Sequence, residues 1–191
     1  MKKLSFLLSS LVLAAAIPGQ LAAGQPALIK VDLDRTISAI DPNIYSSFLE
    51  PLGKGTRPDI VYGALYDPAS PHSDENGFRK EYLEQIKDLK VASVRWPGGN
   101  FVSGYNWQDG IGPKAQRPVM LDLSRTRKET NQMGTDEYAA FCKLVGAENF
   151  ICINGGTGTI EEAARWVEYC NAPAGTKYAD LRVKNGHPEP Y

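Results

Sequence analysis

From residue 44 onward, the hydrophobic pattern repeats one order three times: a short apolar stretch, a loop rich in glycine and proline, and an amphipathic stretch. The short stretches, residues 44–50, 91–96 and 150–153, are predicted strands because of their length and their β-branched and aromatic residues. Strands that alternate with helices build a parallel sheet. The pattern therefore predicts an α/β fold with three βα units and an exposed edge on the third strand.

Apolar residues three to four positions apart predict one helix in each unit. The first helix is predicted from Asn76, and the second from Thr135 as its N-cap. Thr159 and Glu162 form a capping box for the third. The positions predicted to face inward are Phe78, Tyr82, Leu83, Ile86 and Leu89 in the first helix, Tyr138, Phe141, Cys142 and Val145 in the second, and Ile160, Ala163, Ala164 and Val167, with Trp166 also in the core, in the third.

The first 40 residues follow a different pattern. Lys2 and Lys3, an apolar stretch over residues 4–17 and a small-residue exit at 21–23 predict a signal peptide over residues 1–23. The apolar stretch is shorter than the roughly 20 residues that span a bilayer, so the protein is expected to be secreted or periplasmic, without a membrane anchor after cleavage. Residues 24–40 form a separate segment, in which apolar and polar residues alternate over 27–40 and predict a half-buried strand.

Composition narrows the class of protein. The 191 residues fall short of the about 250 that a closed (β/α)₈ barrel needs. Hydrophobic residues at 42% and charged residues at 23% are typical of a globular protein and exclude disordered, collagen-like and coiled-coil classes. With 21 basic against 22 acidic residues, and no basic run, nucleic acid is not an expected partner.

The cysteines and histidines predict no metal site and no cofactor. Cys142, Cys152 and Cys170 lie in apolar stretches without CxxC spacing, which favours buried thiols over one disulfide plus a spare thiol. His72 and His187 have no ligand partner at helical spacing.

A nucleotide site is the alternative for the glycine-rich turn at residues 154–159, because such strand-to-helix turns also bind phosphate. Glu161 stands where the dinucleotide fingerprint requires a third glycine, and no GxxxxGK motif occurs. The absence of GxSxG likewise argues against a serine hydrolase.

Polar residues follow the predicted strands, at the end where parallel strands build their sites. Glu50 ends the first strand, and Arg95 and Asn100 lie at the end of the second. This set predicts a site for a hydroxyl-rich ligand. Some of these residues also have a structural interpretation. Glu50 is alternatively a solvated loop acid, and Arg95 is alternatively half of a buried ion pair rather than a group that positions a carboxylate. Trp107, in the loop after the second strand, either packs the loop or serves as a sugar platform.

The segment IDPNIYSSFLEPLG at residues 40–53 resembles the start of glycoside hydrolase family 51, the α-L-arabinofuranosidases. The resemblance continues in VRWPGGNFVSGYNW at 94–107, DGIGP at 109–113, ETN at 129–131 and GTDE at 134–137. It extends through EAA at 162–164, VEYCN at 167–171, DLR at 180–182 and NGH at 185–187, and so covers essentially all of residues 30–191.

The resemblance implies a partial (β/α)₈ TIM barrel over residues 41–191, truncated before the fourth strand. In the family a C-terminal β-sandwich, absent from this chain, would pair with the strand at 27–40. The implied activity is exo-acting, retaining release of terminal α-L-arabinofuranosyl residues from arabinan or arabinoxylan, without a cofactor. A homo-oligomer of the complete protein is left open.

The resemblance also assigns residue roles. Glu50, Asn100 and Trp107 would bind substrate, and Arg95 would orient the nucleophile. The acid/base and nucleophilic glutamates are expected beyond Tyr191, so this chain alone is predicted to be inactive. The alternative is a noncatalytic sugar-binding or vestigial fragment. Two departures, a longer loop at 54–59 and the sequence SRTR at 124–127 where a tryptophan is common, affect the leaving-group side.

Overall fold

The computed structural model describes residues 27–51, 62, 64–125 and 127–191. The chain divides into two compact units, Met1–Ala39 and Ile40–Tyr191. The predicted signal peptide lies outside the described residues. Within the described ranges, no helix has both the length and the apolar character needed to cross a bilayer.

The described part of the first unit, residues 27–39, contains no strand. The strand predicted from the alternating pattern over 27–40 is therefore not formed in this chain. Leu28 is 94% exposed, and Ile29 and Leu33 are also exposed. An alternating segment becomes a strand where its apolar side is covered and its backbone groups are paired. The exposure of these side chains shows that the apolar side is uncovered.

The second unit is built on a parallel sheet of three strands, as the sequence predicts. Its order is β1 (Ser47–Phe48), β2 (Ser93–Trp96) and β5 (Glu148–Ile151), whereas β3 (Met120–Asp122) and β4 (Arg127–Glu129) form a separate antiparallel hairpin. Phe48 pairs with Arg95, and Arg95 pairs with Phe150. These three side chains therefore share one face of the sheet.

The first strand is shorter than predicted because the first two residues of the predicted strand belong to a 3₁₀ helix, Pro42–Tyr45. Pro42 suits the first position of such a turn, and the Asp41 side chain accepts a hydrogen bond of 2.9 Å from the Asn43 amide. The strand pairing continues past β1, where the Leu49 amide donates to the Arg95 carbonyl at 2.7 Å. Glu50 thus directly follows the paired part of the strand.

The described residues contain four α-helices: α1 (Lys80–Leu89), α2 (Thr135–Val145), α3 (Ile160–Asn171) and α4 (Lys177–Lys184). The first begins four residues after the predicted Asn76, because two isolated β-bridges hold Phe78 and Arg79 extended. In α2 the N-cap is Gly134, not Thr135, and the Glu137 carboxylate accepts from the Gly134 amide at 2.8 Å. The inward positions predicted for α2 are all buried.

The inward face predicted for α3 is wrong, although its Thr159 cap is confirmed by a hydrogen bond from the Glu162 amide at 3.1 Å. Ile160 is 86% exposed and Val167 is also exposed. The buried residues of the helix are Trp166, Tyr169 and Cys170. The larger aromatic side chains bury more apolar area than the aliphatic stripe, so they determine which side of the helix faces the core.

The helix α4 and the β3–β4 hairpin were not predicted. The sequence of α4, KYADLRVK, has no continuous apolar stripe, and the helix docks through Tyr178, Ala179 and Arg182. The Arg182 guanidinium is fully buried and donates to four backbone carbonyls, those of Tyr169, Ala172, His187 and Pro188. A buried arginine can thus anchor a helix that hydrophobic periodicity does not reveal.

The core of the second unit centres on Trp96, which is completely buried. Its ring stacks on Tyr138 of α2 with centroids 4.8 Å apart, and its indole N–H donates to the Tyr62 hydroxyl at 2.6 Å. The Tyr138 hydroxyl in turn donates to the Val94 carbonyl and accepts from the Phe150 amide. The same residues therefore join the sheet to the helix layer through both packing and hydrogen bonds.

The three cysteines are unpaired, which confirms the prediction of free thiols. Cys142 and Cys170 are buried in α2 and α3, and Cys152 is half-buried just after β5. Burial raises the pKa of Cys142 to about 11 and that of Cys170 to about 12. These two thiols are therefore protonated packing residues.

Candidate functional site

The Glu50 side chain lies against the loop that follows β2. Gly98 has a φ of +120°, and a Cβ at this position would overlap the Glu50 side chain. Only glycine allows the backbone to adopt this conformation at this distance. The Pro97-Gly98-Gly99 segment is thus more than a tight turn, because it makes room for a carboxylate at the carboxyl end of the sheet.

Among the described residues, three donors approach the Glu50 carboxylate, whose side chain is 12% exposed. Burial raises its pKa, but hydrogen bonds from Arg125 and from the backbone amides of Phe101 and Gly99 more than offset this effect, and the pKa lies below its usual value. The Arg125 Nη2 atom lies 2.6 Å from Oε1, and the Phe101 amide 3.3 Å from the same oxygen. Glu50 is therefore an ionised hydrogen-bond acceptor, not a solvated loop acid.

Arg125 reaches Glu50 from the β3–β4 hairpin and was not predicted as a site residue. Its turn is held by Asp122, whose carboxylate accepts from Ser124 and from Arg127 Nε at 2.9 Å. The sequence signal for this region is the unusual SRTR segment, which the family resemblance relates to the leaving-group side rather than to Glu50. The pairing of residues 75 positions apart depends on the hairpin, which the hydrophobic pattern did not predict.

Asn100 and Arg95 lie near the same end of the sheet. Asn100 is exposed in the loop, two residues after Gly98. The Arg95 guanidinium is half-buried and lies over the Phe48 ring, 5.4 Å from its centroid. The structure thus brings Glu50, Asn100 and Arg95 to neighbouring positions at the ends of β1 and β2.

Trp107 does not join this group. It is 1% exposed, its ring is parallel to that of Trp166 at 5.8 Å, and its indole N–H donates to the Glu162 carbonyl at 3.2 Å. An indole buried between α3 and α4 offers no open face to a sugar ring. The loop-packing interpretation therefore holds for Trp107, and the predicted substrate-binding role is corrected.

The glycine-rich turn after β5 is folded onto itself rather than open toward a ligand. The Asn154 side chain accepts from the amides of Gly156 and Thr157, both at 3.0 Å. The Thr157 amide also donates to the Ser103 carbonyl, and a Cβ at Gly156 would overlap Ser103. Because these amides are engaged within the protein, the turn does not support phosphate binding.

Three of the sequence motifs meet at Arg117 instead of at the site. Its guanidinium pairs with both oxygens of Glu137 at 2.9 Å and donates to the carbonyls of Gly112 and Asn131. The side chain is almost fully buried. A planar fork is suited to such bidentate contacts. The motifs DGIGP, ETN and GTDE therefore position the loop between β2 and α2.

Within the described residues, no group of three or more histidine, cysteine, aspartate or glutamate side chains could hold a metal ion.

Comparisons with known proteins agree with this fold and these motifs. Residues 85–191 match the family model described as the Alpha-L-arabinofuranosidase 1 domain. The chain is 52% identical over 163 residues to Alpha-L-arabinofuranosidase C of Emericella nidulans, covering 85% of this chain and 31% of that protein. It is 48% identical over 165 residues to the Intracellular exo-alpha-(1->5)-L-arabinofuranosidase of Acetivibrio thermocellus, covering 86% and 32%.

A solved structure is similar as well, the family 51 α-L-arabinofuranosidase of Thermotoga petrophila. The two share 55% identity with a TM-score of 0.72, over 78% of this chain and 30% of that one. Fold and comparisons together place the chain among the glycoside hydrolases. It belongs to family 51, the α-L-arabinofuranosidases, and corresponds to their N-terminal region. It spans about a third of the length of the curated relatives it matches.

Proposed function

We propose that the complete protein is an exo-acting, retaining α-L-arabinofuranosidase, and that this chain supplies one wall of its glycone subsite. The observation that carries the proposal is the ionised carboxylate of Glu50 at the carboxyl end of a parallel sheet. A charged acceptor of this kind suits the ring hydroxyls of a sugar. Asn100 adds an amide that can both donate and accept. Terminal arabinofuranosyl units of arabinan or arabinoxylan are the proposed substrates.

The proposed architecture is a partial (β/α)₈ barrel. In such a barrel, helices cover the outer face of a parallel sheet and apolar side chains fill the inner face. The sheet β1-β2-β5 is covered by α2 on one face, and on the other it exposes Phe48 and Phe150. Residues 27–40 are proposed to pair with a C-terminal β-sandwich of the complete protein, which would cover their exposed leucines.

The lowered pKa of Glu50 argues against the acid/base role, and the resemblance to the family assigns Glu50 to binding rather than to the role of nucleophile. A retaining glycosidase needs one carboxylate as nucleophile and a second carboxyl as acid/base, about 5–5.5 Å apart. The acid/base group must hold a proton, whereas the pKa of Glu50 is lowered. We infer that both reacting glutamates come from barrel strands not included in this chain. Arg95, at the end of β2, is proposed to orient the nucleophile.

Export is proposed from the sequence of residues 1–23 alone, which has a basic start, an apolar stretch and a small-residue exit. The A. thermocellus relative is named as intracellular. Export would therefore give this protein a different location from that relative. N-terminal sequencing of the protein recovered from the periplasm or the medium tests the proposal, and an intact Met1 in the cytoplasm would refute it.

The activity is tested with a chromogenic α-L-arabinofuranoside, comparing the complete protein with the 191-residue chain. We expect turnover by the complete protein, with retained anomeric configuration in the first product by NMR, and none by the chain alone. A complete protein that binds arabino-oligosaccharides without cleaving them would support the noncatalytic alternative. Turnover by the chain alone, lost in Glu50→Gln, would show that Glu50 is a reacting carboxylate.

A further inference from the structure

The turn of the β3–β4 hairpin is fixed from inside the protein. The Asp122 side chain is 1% exposed, and its Oδ1 accepts from both the amide and the hydroxyl of Ser124, at 2.9 and 2.6 Å. Its Oδ2 accepts from Arg127 Nε at 2.9 Å. A buried carboxylate with this many donors holds Ser124 and Arg127 in fixed positions beside it.

Arg125 projects from this fixed turn and joins the hairpin to Glu50. Its Nη1 donates to the Ser124 hydroxyl oxygen at 2.9 Å, while its Nη2 donates to Glu50 Oε1 at 2.6 Å. Because the planar guanidinium makes both contacts at once, its orientation is set on two sides. The contacts form a chain from the buried Asp122 to the carboxylate at the end of the sheet.

We propose that Arg125 is a positioning residue for substrate binding, which fixes the orientation and charge of Glu50 so that this carboxylate accepts hydrogen bonds from the furanose. The inference rests on the proposed function. Arg125 would act through Glu50, not through a contact of its own with the sugar. Its partner Ser124 and the buried Asp122 would serve the same end by holding the guanidinium in place.

A stabilising ion pair is the simpler explanation, but the geometry does not favour it. Both partners are partly exposed, with side-chain exposures of 24% for Arg125 and 12% for Glu50, and such pairs contribute little to folding. Glu50 is also crowded against Gly98 and bonded to Phe101, so its burial carries a desolvation cost that the guanidinium offsets. The pair is thus better explained by a need for a charged acceptor than by stability.

Removing Arg125 should raise the pKa of Glu50. Burial raises this pKa, and only the two backbone amides would then remain to lower it. A larger fraction of Glu50 would be protonated at acidic pH, and a protonated carboxyl is a weaker acceptor for a ring hydroxyl. The loss of binding should therefore grow as the pH falls.

The test measures kcat/KM between pH 4 and 8 for the complete protein and for Arg125→Ala, Arg125→Lys, Glu50→Gln and the double variant Arg125→Ala/Glu50→Gln. Lys128→Ala is the matched control, since it removes a positive charge from an exposed position of the same hairpin. We expect Arg125→Ala to lower kcat/KM about tenfold near neutral pH and more at acidic pH. Arg125→Lys should restore part of the loss, and Lys128→Ala should change it less than about twofold.

The double variant decides whether Arg125 acts through Glu50. In the Glu50→Gln background, Arg125→Ala should change kcat/KM less than about twofold, because the carboxylate charge that Arg125 stabilises is already absent. Additive losses, an unshifted pH profile or an increase in kcat/KM on removing Arg125 would each overturn the proposal. An inactive wild-type protein would instead refute the proposed function, so the two failures are distinguishable.

Discussion

The two faces of the parallel sheet differ in how completely they are covered. On one face, Val94 and Trp96 of β2 are buried beneath Tyr138 of α2. On the opposite face, Phe48 and Phe150 flank Arg95 and are 59% and 53% exposed. The covered face accounts for the cohesion of the unit, while the open face carries Arg95 and two unburied aromatic rings.

Two carboxylates, Asp136 in the helix layer and Glu50 at the end of the sheet, differ in the direction of their pKa shifts. Asp136, at the start of α2, is buried and accepts from the hydroxyls of Tyr169 and Tyr191, both at 2.7 Å. Burial is the largest influence on the pKa of Asp136 and raises it. Glu50, at the sheet end, has the opposite shift because of Arg125 and two amides. A buried carboxylate bonded to tyrosine hydroxyls serves packing, whereas one held ionised beside an arginine is available for binding.

The largest expected effect comes from removing a ring on the covered face. Trp96→Ala should lower the free energy of unfolding by about 3–5 kcal/mol, because it leaves a cavity and an unpaired Tyr62 hydroxyl. Phe150→Ala on the open face should cost about 1 kcal/mol or less. Urea unfolding followed by circular dichroism gives both values. Equal losses would mean that the two faces are equally packed and would remove the basis of the comparison.

The contrast between the faces also explains what the sequence could predict. The parallel order, the burial of Tyr138 and Phe141 and the Thr159 cap follow from local periodicity and capping, and the structure confirms them. The orientation of α3 did not follow, because it depends on the stacking of Trp166 against a tryptophan 59 residues earlier in the chain, Trp107.

The candidate site was predictable only in part, for a related reason. Glu50 and Asn100 could be placed because each follows a strand, and parallel strand ends converge. Arg125 could not, because its approach depends on a hairpin of two three-residue strands, too short for a periodic signal. Trp107 was ambiguous in sequence because an aromatic residue in a loop serves packing and sugar binding equally well.

The next effect tests the open end of the sheet. In the complete protein, Glu50→Gln should lower kcat/KM about 10- to 150-fold, because a hydrogen bond to a charged group contributes roughly 1.5–3 kcal/mol. Asn100→Ala removes a neutral amide, whose hydrogen bond contributes roughly 0.5–1.5 kcal/mol, and should lower kcat/KM about 2- to 10-fold. The free energy of unfolding should change by less than about 1 kcal/mol, in contrast to Trp96→Ala. Unchanged kinetics in both variants would make these residues scaffold and assign the site elsewhere.

A smaller effect concerns the pH dependence of stability. For Asp136, whose pKa is raised above 3.8 in the folded state, the stabilising contribution is full below the unfolded pKa and is lost as the pH rises through the folded value. Asp136→Asn keeps an oxygen for both tyrosine hydroxyls and cannot ionise. Its unfolding free energy relative to wild type should therefore increase between pH 4 and 7, as measured by urea unfolding.

Glu50 supplies the matched comparison, since its pKa is lowered below 4.5. Its contribution is full above the unfolded pKa and is lost as the pH falls through the folded value. The stability difference between wild type and Glu50→Gln should thus shrink on acidification, opposite in direction to Asp136→Asn. Parallel curves for the two variants would contradict the assigned shifts.

The smallest effect is one of thiol reactivity, with no change in fold. Thiolates react, and burial raises the pKa of Cys142 to about 11 and that of Cys170 to about 12, so both should be slow to alkylate in the native protein at pH 8. Cys152 is half-buried after β5 and should react first. Mass spectrometry without reductant should find one fast site in the native protein and three sites in denaturant, with the fast site lost in Cys152→Ser. A single reactive thiol in denaturant would reveal a disulfide. That result would contradict the structure, in which Cys142 of α2 and Cys170 of α3 are separate thiols.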